Sequence, residues 1–369
     1  MTWNVANILM VFGASQGILL SFIVLLKNKN KLAGFSLAIM VFGISMNILY
    51  YGIVDTGICK THLFIAYLYL PWAMLAAVGF YLYVVFSTKN QDTLTLKNKL
   101  AFLPFVVFSI FHITIGVCQY NYECQLIPYK ISFIFYEIDE YSGIVISFLS
   151  GFLSLRLLPK IEASLQQRFS NYNKRQLIFH KQFSILVMVF AVYWFLSYTY
   201  SEFFDGNIKV YYGLALISGV SLYWITYAGF IRKETIIPEF IPNENDLIKS
   251  KTLSYSKEDP LFLSLIKLFE KEKPYTDPEL SLDKLASMIN TNKSYLSSMI
   301  NQVTNKNFYH FINEYRVKHL IQLFNEEKTS DFTIISLAYE SGFNSKSTFQ
   351  AVFKKETGKT PSQFIDSIK

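Results

Sequence analysis

Residues 341–364 read SGFNSKSTFQAVFKKETGKTPSQF, and they decide how the C-terminal third of this chain folds. Upstream of them, Thr333 is placed to cap a short helix carrying Ile334, Ile335, Leu337 and Ala338. Gly342-Phe343 supplies a turn, and Phe349, Val352 and Phe353 then recur at helical spacing. Gly358 is a stop signal, and Thr360-Pro361 fits a cap followed by proline at a first helical position. The stretch therefore reads as two short helices bent around a turn, with a third starting after it.

An earlier stretch repeats this pattern. Leu285-Ala286 precedes Leu337-Ala338 by 52 residues, whereas Leu296, Met299 and Ile300 precede Phe349, Val352 and Phe353 by 53. The one-residue slip falls in the turn between the helices, where an insertion is cheap. Ser281 caps the first of these helices, with Leu282, Leu285, Ala286 and Ile289 on one face. INTN forms the turn, Tyr295, Leu296, Met299 and Ile300 are the apolar positions of the second helix, and a longer helix over 308–325 joins the two units.

Two helix-turn-helix units in tandem suit the DNA major groove, where the start of the second helix reaches base edges. The candidates for base contact are Asn292, Lys293, Ser294 and Ser297 in the first unit, and Asn344, Ser345, Lys346, Ser347 and Gln350 in the second. Lys354 and Lys355 are the candidates for phosphate. From residue 248 onward, 17 basic residues face 14 acidic ones, a smaller excess than a strongly basic nucleic-acid binder carries. Helix pairs with solvated polar faces also occur in many folds, so these residues alone leave DNA binding open.

The first 231 residues are of another kind. The chain is 52% hydrophobic overall, and the excess is concentrated in seven apolar runs at 3–26, 33–54, 63–86, 100–117, 141–158, 183–204 and 211–231. Each approaches the length a helix needs to cross a bilayer, about 17–25 residues, and continuous rather than alternating apolar runs favour helices over a barrel. The first run is too long for a cleavable leader and lacks a basic start. Fourteen lysines and arginines fall in the loops on one side (27, 29, 31, 89, 97, 99, 156, 160, 168, 174, 175, 181, 232 and 233) against Lys60, Lys130 and Lys209 on the other. This asymmetry places the N-terminus outside and the C-terminal region in the cytoplasm of a multi-pass inner-membrane protein.

The expected fold class is thus all-α, with a seven-helix transmembrane sensor domain over 1–231, a cytoplasmic linker over 232–259 and a tandem helix-turn-helix domain over 260–369. Cys59, Cys118 and Cys124 lie in the outer loops, where either a disulfide or free thiols would be tolerated. Polar residues inside the spans mark candidate functional positions. Asn47, His112, Tyr198 and Glu202 lie toward the outer side and form a candidate pocket for a small amphipathic ligand, with Asn7 in the same outer half and Asp139 and Glu140 at the outer start of the fifth span. Packing and interfacial roles explain such residues equally well.

The quoted stretch, together with LDKLASMINTNKSYLSSMINQVTNKNFYHFINEYRV at 282–317, resembles the AraC-type DNA-binding domain. KPYTDPELSLDKLA at 273–286 is similar to the lead-in of membrane-anchored members from Bacteroidota-like bacteria, whose anchors the apolar half also resembles. The resemblance covers about residues 261–364. It implies a membrane-bound one-component transcriptional regulator that binds promoter DNA sequence-specifically, with the bilayer, RNA polymerase, a small ligand or membrane signal, and a second copy of the chain as partners. Asn305 replaces the glycine found at Gly358, Leu320 replaces a smaller residue, and Ile365 stands where an arginine is common. Neither a cofactor nor a metal is expected. HExxH, GxSxG and P-loop patterns are missing, so an enzyme is not expected either. A transporter with a regulatory tail and a passive anchor are the competing readings, and the spans show no inverted repeat of the transporter type.

Overall fold

The computed structural model describes residues 2–27, 32–60, 62, 69–89, 93–120, 129–171, 174–203, 212–226, 255–326 and 332–368. Among them the chain is helical and contains no strand. It divides into two compact units, one formed by Met1–Pro159 with Lys174–Phe240 and the other by Lys160–Asn173 with Ile241–Lys369.

The first unit contains α1 (Val5–Lys27), α2 (Leu32–Asp55), α3 (Trp72–Lys89), α4 (Leu96–Leu100), α5 (Leu103–Tyr120), most of α6 (Tyr129–Arg168), α7 (Lys174–Phe203) and α8 (Tyr212–Thr226). Among the described residues, five helices are long and apolar enough to cross a membrane, not seven: Val5–Lys27, Leu32–Asp55, Leu96–Cys118, Lys130–Arg168 and Leu177–Phe203. The expected third and seventh spans appear as shorter apolar helices, Trp72–Ser87 and Tyr212–Trp224. Pro71 precedes α3 and cannot extend it backwards with a normal hydrogen-bonded turn. Positions 63–68 and 227–231 lie outside the described residues, as do Cys124 and most of the expected linker. Cys59 is a free thiol.

Backbone contact through small residues packs α2 on α3. A Cβ on Gly43 would fall 2.9 Å from Ala76 N and Trp72 O, so only glycine permits this approach. The exterior of the unit stays apolar, with Leu19, Ile110, Val145, Val189 and Val220 all exposed. Polar side chains at the ends of its helices link them to one another. Asp55 accepts hydrogen bonds from Asn4 (2.8 Å), Asn7 (3.2 Å) and Tyr212 (2.8 Å).

The second unit is built from α9 (Pro260–Lys271), α10 (Leu282–Met288), α11 (Lys293–Thr304), α12 (Phe308–Asn325), α13 (Ile334–Glu340), α14 (Lys346–Thr357) and α15 (Pro361–Ile368). It has two cores. Phe262, Leu265 and Phe269 of α9 pack with Leu285, Ala286, Leu296, Met299 and Ile300 in one. Leu337, Ala338, Phe349, Val352 and Phe353 form the other. Every repeat position therefore lies in the corresponding core. α12 serves both, giving Phe308, Phe311 and Ile312 to the first and Val317, Leu320, Leu323 and Phe324 to the second. Leu320 is fully buried, and Ile365 is buried in the second core rather than free at the surface.

The helix ends follow the sequence. Ser281 accepts from Lys284 N (3.3 Å) and Thr333 from Ser336 N (3.1 Å). Thr360 and Gln363 exchange hydrogen bonds as a capping box. Asn305 (φ 54°) and Gly358 (φ 75°) both close helices in the left-handed region, so the asparagine does the work of the glycine.

α6 departs most from expectation. From the sequence, its span ends at Leu158 and a charged loop comes next, yet the helix runs on through Pro159 to Arg168. Its last turns and the residues after them, Lys160–Asn173, belong to the second unit. Phe169 forms an isolated antiparallel bridge with Ser281. Ser170 is fully buried, and its N–H and Oγ both donate to Leu280 O, at 3.3 and 2.6 Å.

Gly342 is the most constrained backbone position of this unit. Its φ is 93°, and a Cβ there would collide with Tyr275 O and approach Arg316 Nε to 2.8 Å. Gly342→Ala is expected to destabilise the unit by about 2–4 kcal/mol, combining left-handed strain with overpacking. Pulse proteolysis of the full chain across a urea series, tracking cleavage within residues 260–368, measures it.

Candidate nucleic-acid interface

The start of each reader helix is fixed by its own first polar side chain. Asn292 caps α11, its Oδ1 accepting from Tyr295 N at 2.8 Å. Ser345 caps α14, its Oγ accepting from Thr348 N at 3.1 Å. Behind the caps, Leu296, Met299 and Ile300 anchor α11, while Thr348, Phe349, Val352 and Phe353 anchor α14. Burial of these faces turns the remaining candidates outward. Asn292, Lys293, Asn344, Lys346, Ser347, Gln350, Lys354 and Lys355 are exposed, and Ser294, Ser297 and Ser345 are half-buried.

In the second helix-turn-helix, Lys346, Ser347, Gln350 and Lys354 line an open groove of about 670 Å³. Thr360 and Ser362 border the same groove, although the sequence does not single them out as contacts. The only signal for them is the Thr360-Pro361 cap, which places the Thr360 and Ser362 hydroxyls at the start of α15, where the Thr360 and Gln363 amides are already engaged by the capping box. Hydroxyl groups at a helix start are ready phosphate donors. Gln350 carries both a donor and an acceptor and can pair an adenine edge, whereas Lys354 supplies charge alone.

Two of the lysines have neighbours within the protein. Lys293 Nζ lies 3.7 Å from Asp283 Oδ1, whose other oxygen is 3.3 Å from Arg168 Nη2. Lys355 Nζ lies 3.5 Å from His310 Nε2. Both lysines are exposed enough for a phosphate to compete with these contacts, because solvent-exposed pairs are weak.

The four candidates of the apolar unit have separate surroundings. Asn47 lines a cavity of about 80 Å³ with Ser147, Ser218 and Ser221 among apolar neighbours such as Phe80 and Phe183. His112 is buried, its Nε2 2.8 Å from Asp139 Oδ2. Tyr198 donates to Glu137 at 2.7 Å. Glu202 is exposed. Glu140, beside Asp139 in sequence, accepts from Tyr69 (3.4 Å) and from Trp194 Nε1 (3.1 Å). Trp194 in turn lines a second, smaller cavity with Asn47. Sequence reasoning misses Glu137 and Trp194, since helical partners separated by about 60 positions leave no local pattern.

Residues 285–367 match a family described as a helix-turn-helix domain. The regulatory protein SoxS of Salmonella typhimurium is 30% identical over 97 residues, which cover 26% of this chain and 88% of that protein. An HTH-type transcriptional regulator of Pseudoalteromonas carrageenovora, encoded in the cgkA 5′ region, is 31% identical over 86 residues, 23% of this chain and 49% of that protein. The HTH-type transcriptional regulator SACOL0084 of Staphylococcus aureus is also 31% identical over 86 residues, but the chain spans only 11% of its length. No solved structure matches the chain.

Two substitutions separate reading from charge. Gln350→Ala is expected to cost about 1–3 kcal/mol at a preferred site and to relax specificity there, while Lys354→Ala should weaken all sequences alike and reduce the salt slope by about 1. Binding isotherms over a salt series on matched and scrambled duplexes distinguish them. At the cap, Asn292→Ala should lower stability by about 1 kcal/mol, and Asn292→Ser should restore the stability. Urea unfolding of the two variants provides the comparison.

Proposed function

Because the chain belongs to the AraC-type helix-turn-helix transcriptional regulators, we propose that it is a membrane-bound one-component regulator whose apolar unit receives a signal and whose C-terminal unit binds promoter DNA. The observation that carries the proposal is the joining of two kinds of unit in one chain. One has, among its described residues, five helices long and apolar enough to cross a membrane. The other has two capped reader helices with exposed polar faces on separate cores.

The apolar exterior of the first unit suits lipid, since soluble proteins rarely expose contiguous apolar surface on this scale. The excess of loop lysine and arginine assigns the DNA-binding side to the cytoplasm and the N-terminus to the outside. The reader helices carry out the recognition: Gln350, Lys346 and Asn344 meet bases from the second unit, and Lys293, Ser294 and Ser297 from the first. Lys354 and Lys355 hold phosphate. RNA polymerase and a second copy of the chain complete the promoter complex.

A signal is received by polar groups of the apolar unit, with Asn47, His112, Tyr198 and the exposed Glu202 as the positions assigned to it. The cavity beside Asn47 is about half the size of an engineered cavity that binds benzene. It therefore suits a small apolar or amphipathic molecule with one or two hydrogen-bonding groups.

Full-length protein in lipid nanodiscs, offered a random DNA pool, is expected to enrich one preferred sequence. Enrichment of none would overturn the transcriptional reading. A promoter reporter built on that sequence then tests sensing: exchanging residues 1–159 and 174–231 for an unrelated multi-span anchor should abolish the response to conditions while leaving DNA binding. An unchanged response would mean that the spans only anchor.

A further inference from the structure

The cytoplasmic end of α6 is built into the DNA-binding unit. Four consecutive residues, 168–171, form a strap along it. Phe169 pairs with Ser281 in the antiparallel bridge, and Arg168 meets Asp283 at the start of α10. Ser170 makes the densest set of contacts. Besides its two bonds to Leu280 O, its carbonyl accepts from Arg316 Nη1 (3.2 Å) and Asn313 Nδ2 (3.3 Å), and its hydroxyl accepts from Arg316 Nη2 (2.9 Å). Asn171 Nδ2 donates both to Pro278 O (2.7 Å) and to Gly342 O (3.1 Å). One turn earlier, Gln166 accepts from Asn307 Nδ2 at 3.1 Å.

The destinations of these bonds matter. Pro278, Leu280, Ser281 and Asp283 belong to the first helix-turn-helix and its lead-in; Asn313 and Arg316 to the connecting helix α12, which Asn307 caps; and Gly342 to the turn of the second. A strap of four residues thus ties the first helix-turn-helix, the connecting helix and the second helix-turn-helix together. It leaves the reading face uncovered, because Lys293, Asn344, Lys346, Ser347 and Gln350 remain exposed with the strap in place.

We propose that residues 168–171 are a brace, by which the end of a membrane helix holds the two readers in the mutual orientation that DNA requires. Two readers on one connecting helix engage adjacent stretches of groove only in a fixed register, so bracing lowers the ordering cost of binding. The brace is covalently continuous with α6, and Pro159 lies at the boundary between the units. Proline removes one backbone donor from the helix there, leaving a point at which the distal segment can shift with little loss. A signal that displaces the segment after Pro159 withdraws the brace and loosens the readers. The route through the linker after Ile231 is not needed for this.

The inference rests on the transcriptional reading, and the test separates the two. Ser170 N donates to Leu280 O beside the Phe169–Ser281 pair rather than within it, which marks a non-hydrogen-bonded antiparallel pair. Such pairs have Cα atoms about 4.5 Å apart, inside the range of a disulfide. Full-length Phe169→Cys/Ser281→Cys in nanodiscs should form the 169–281 disulfide under mild oxidant, identified as a linked peptide by mass spectrometry. The locked protein should bind the selected operator at least as tightly as its reduced form. Ser170→Ala/Asn171→Ala should bind it about tenfold more weakly with unchanged helicity, a loss within the usual range of intramolecular coupling. Failure to cross-link, loss of binding on locking, or unchanged affinity of the double alanine variant each overturns the brace. A protein that cross-links while even the wild type selects no DNA sequence would overturn the transcriptional reading and leave the docking intact.

Discussion

The C-terminal unit depends on one buried charge. Arg316 has no solvent exposure, and burial pushes its guanidinium down to about 10, still protonated at neutral pH. Taking such a group out of water costs several kcal/mol unless its donors are satisfied. Nε donates to Tyr275 O (2.7 Å), Nη2 to Asp277 O (2.8 Å) and to Ser170 Oγ (2.9 Å), and Nη1 to Ser170 O (3.2 Å). The need to supply those acceptors shapes the surroundings. The short turn Pro274–Thr276 and Asp277 after it present the Tyr275 and Asp277 carbonyls to α12, the turn of the second helix-turn-helix carries no side chain at Gly342, and Ser170 arrives from another part of the chain. One side chain therefore sets the lead-in, the second turn and the strap at once.

That dependence explains which parts of the fold are legible in the sequence. The two reader units are legible because their signals are local: caps three residues from their targets, turns marked by Gly342 and Asn290, and apolar positions that recur at 52 and 53. Each repeat pair lies in a corresponding core for the same reason. Asn292 and Ser345 are legible as polar residues at helix starts, but not as the caps themselves. That duty depends on a backbone angle, extended at both residues, that composition does not show. The strap is illegible. Its partners lie more than 100 positions away, and four residues with one phenylalanine leave no periodicity. Six basic residues around it also read more simply as a charged loop.

The apolar unit shows the opposite balance. Its helical, apolar character is plain from continuous apolar runs, but the number of helices long enough to cross a membrane is not. A run of apolar residues does not reveal where a helix starts, and α3 begins only after Pro71. Its polar residues are visible as exceptions, yet their pairing depends on packing. His112 finds Asp139, Tyr198 finds Glu137, and Asp55 gathers Asn4, Asn7 and Tyr212. The buried His112–Asp139 pair satisfies groups that would otherwise be costly away from water. A ligand acting in this unit must therefore compete with existing hydrogen bonds or use the cavity beside Asn47.

The strength of the strap bears on whether it can respond to such competition. A hydrogen bond to a charged group contributes about 1.5–3 kcal/mol and a neutral one about 0.5–1.5 kcal/mol, before the entropy of ordering the segment is subtracted. Ser170 makes bonds of both kinds, while the exposed Arg168–Asp283 pair adds little. After the ordering cost, a net of a few kcal/mol is left. An attachment of that size is strong enough to be populated at rest and weak enough for a ligand of ordinary affinity to reverse, since a signal shifts two states only by its difference in affinity for them. A much larger apolar interface would have fixed the readers permanently. Docking through a serine and an asparagine, with the phenylalanine only half-buried, keeps the attachment reversible.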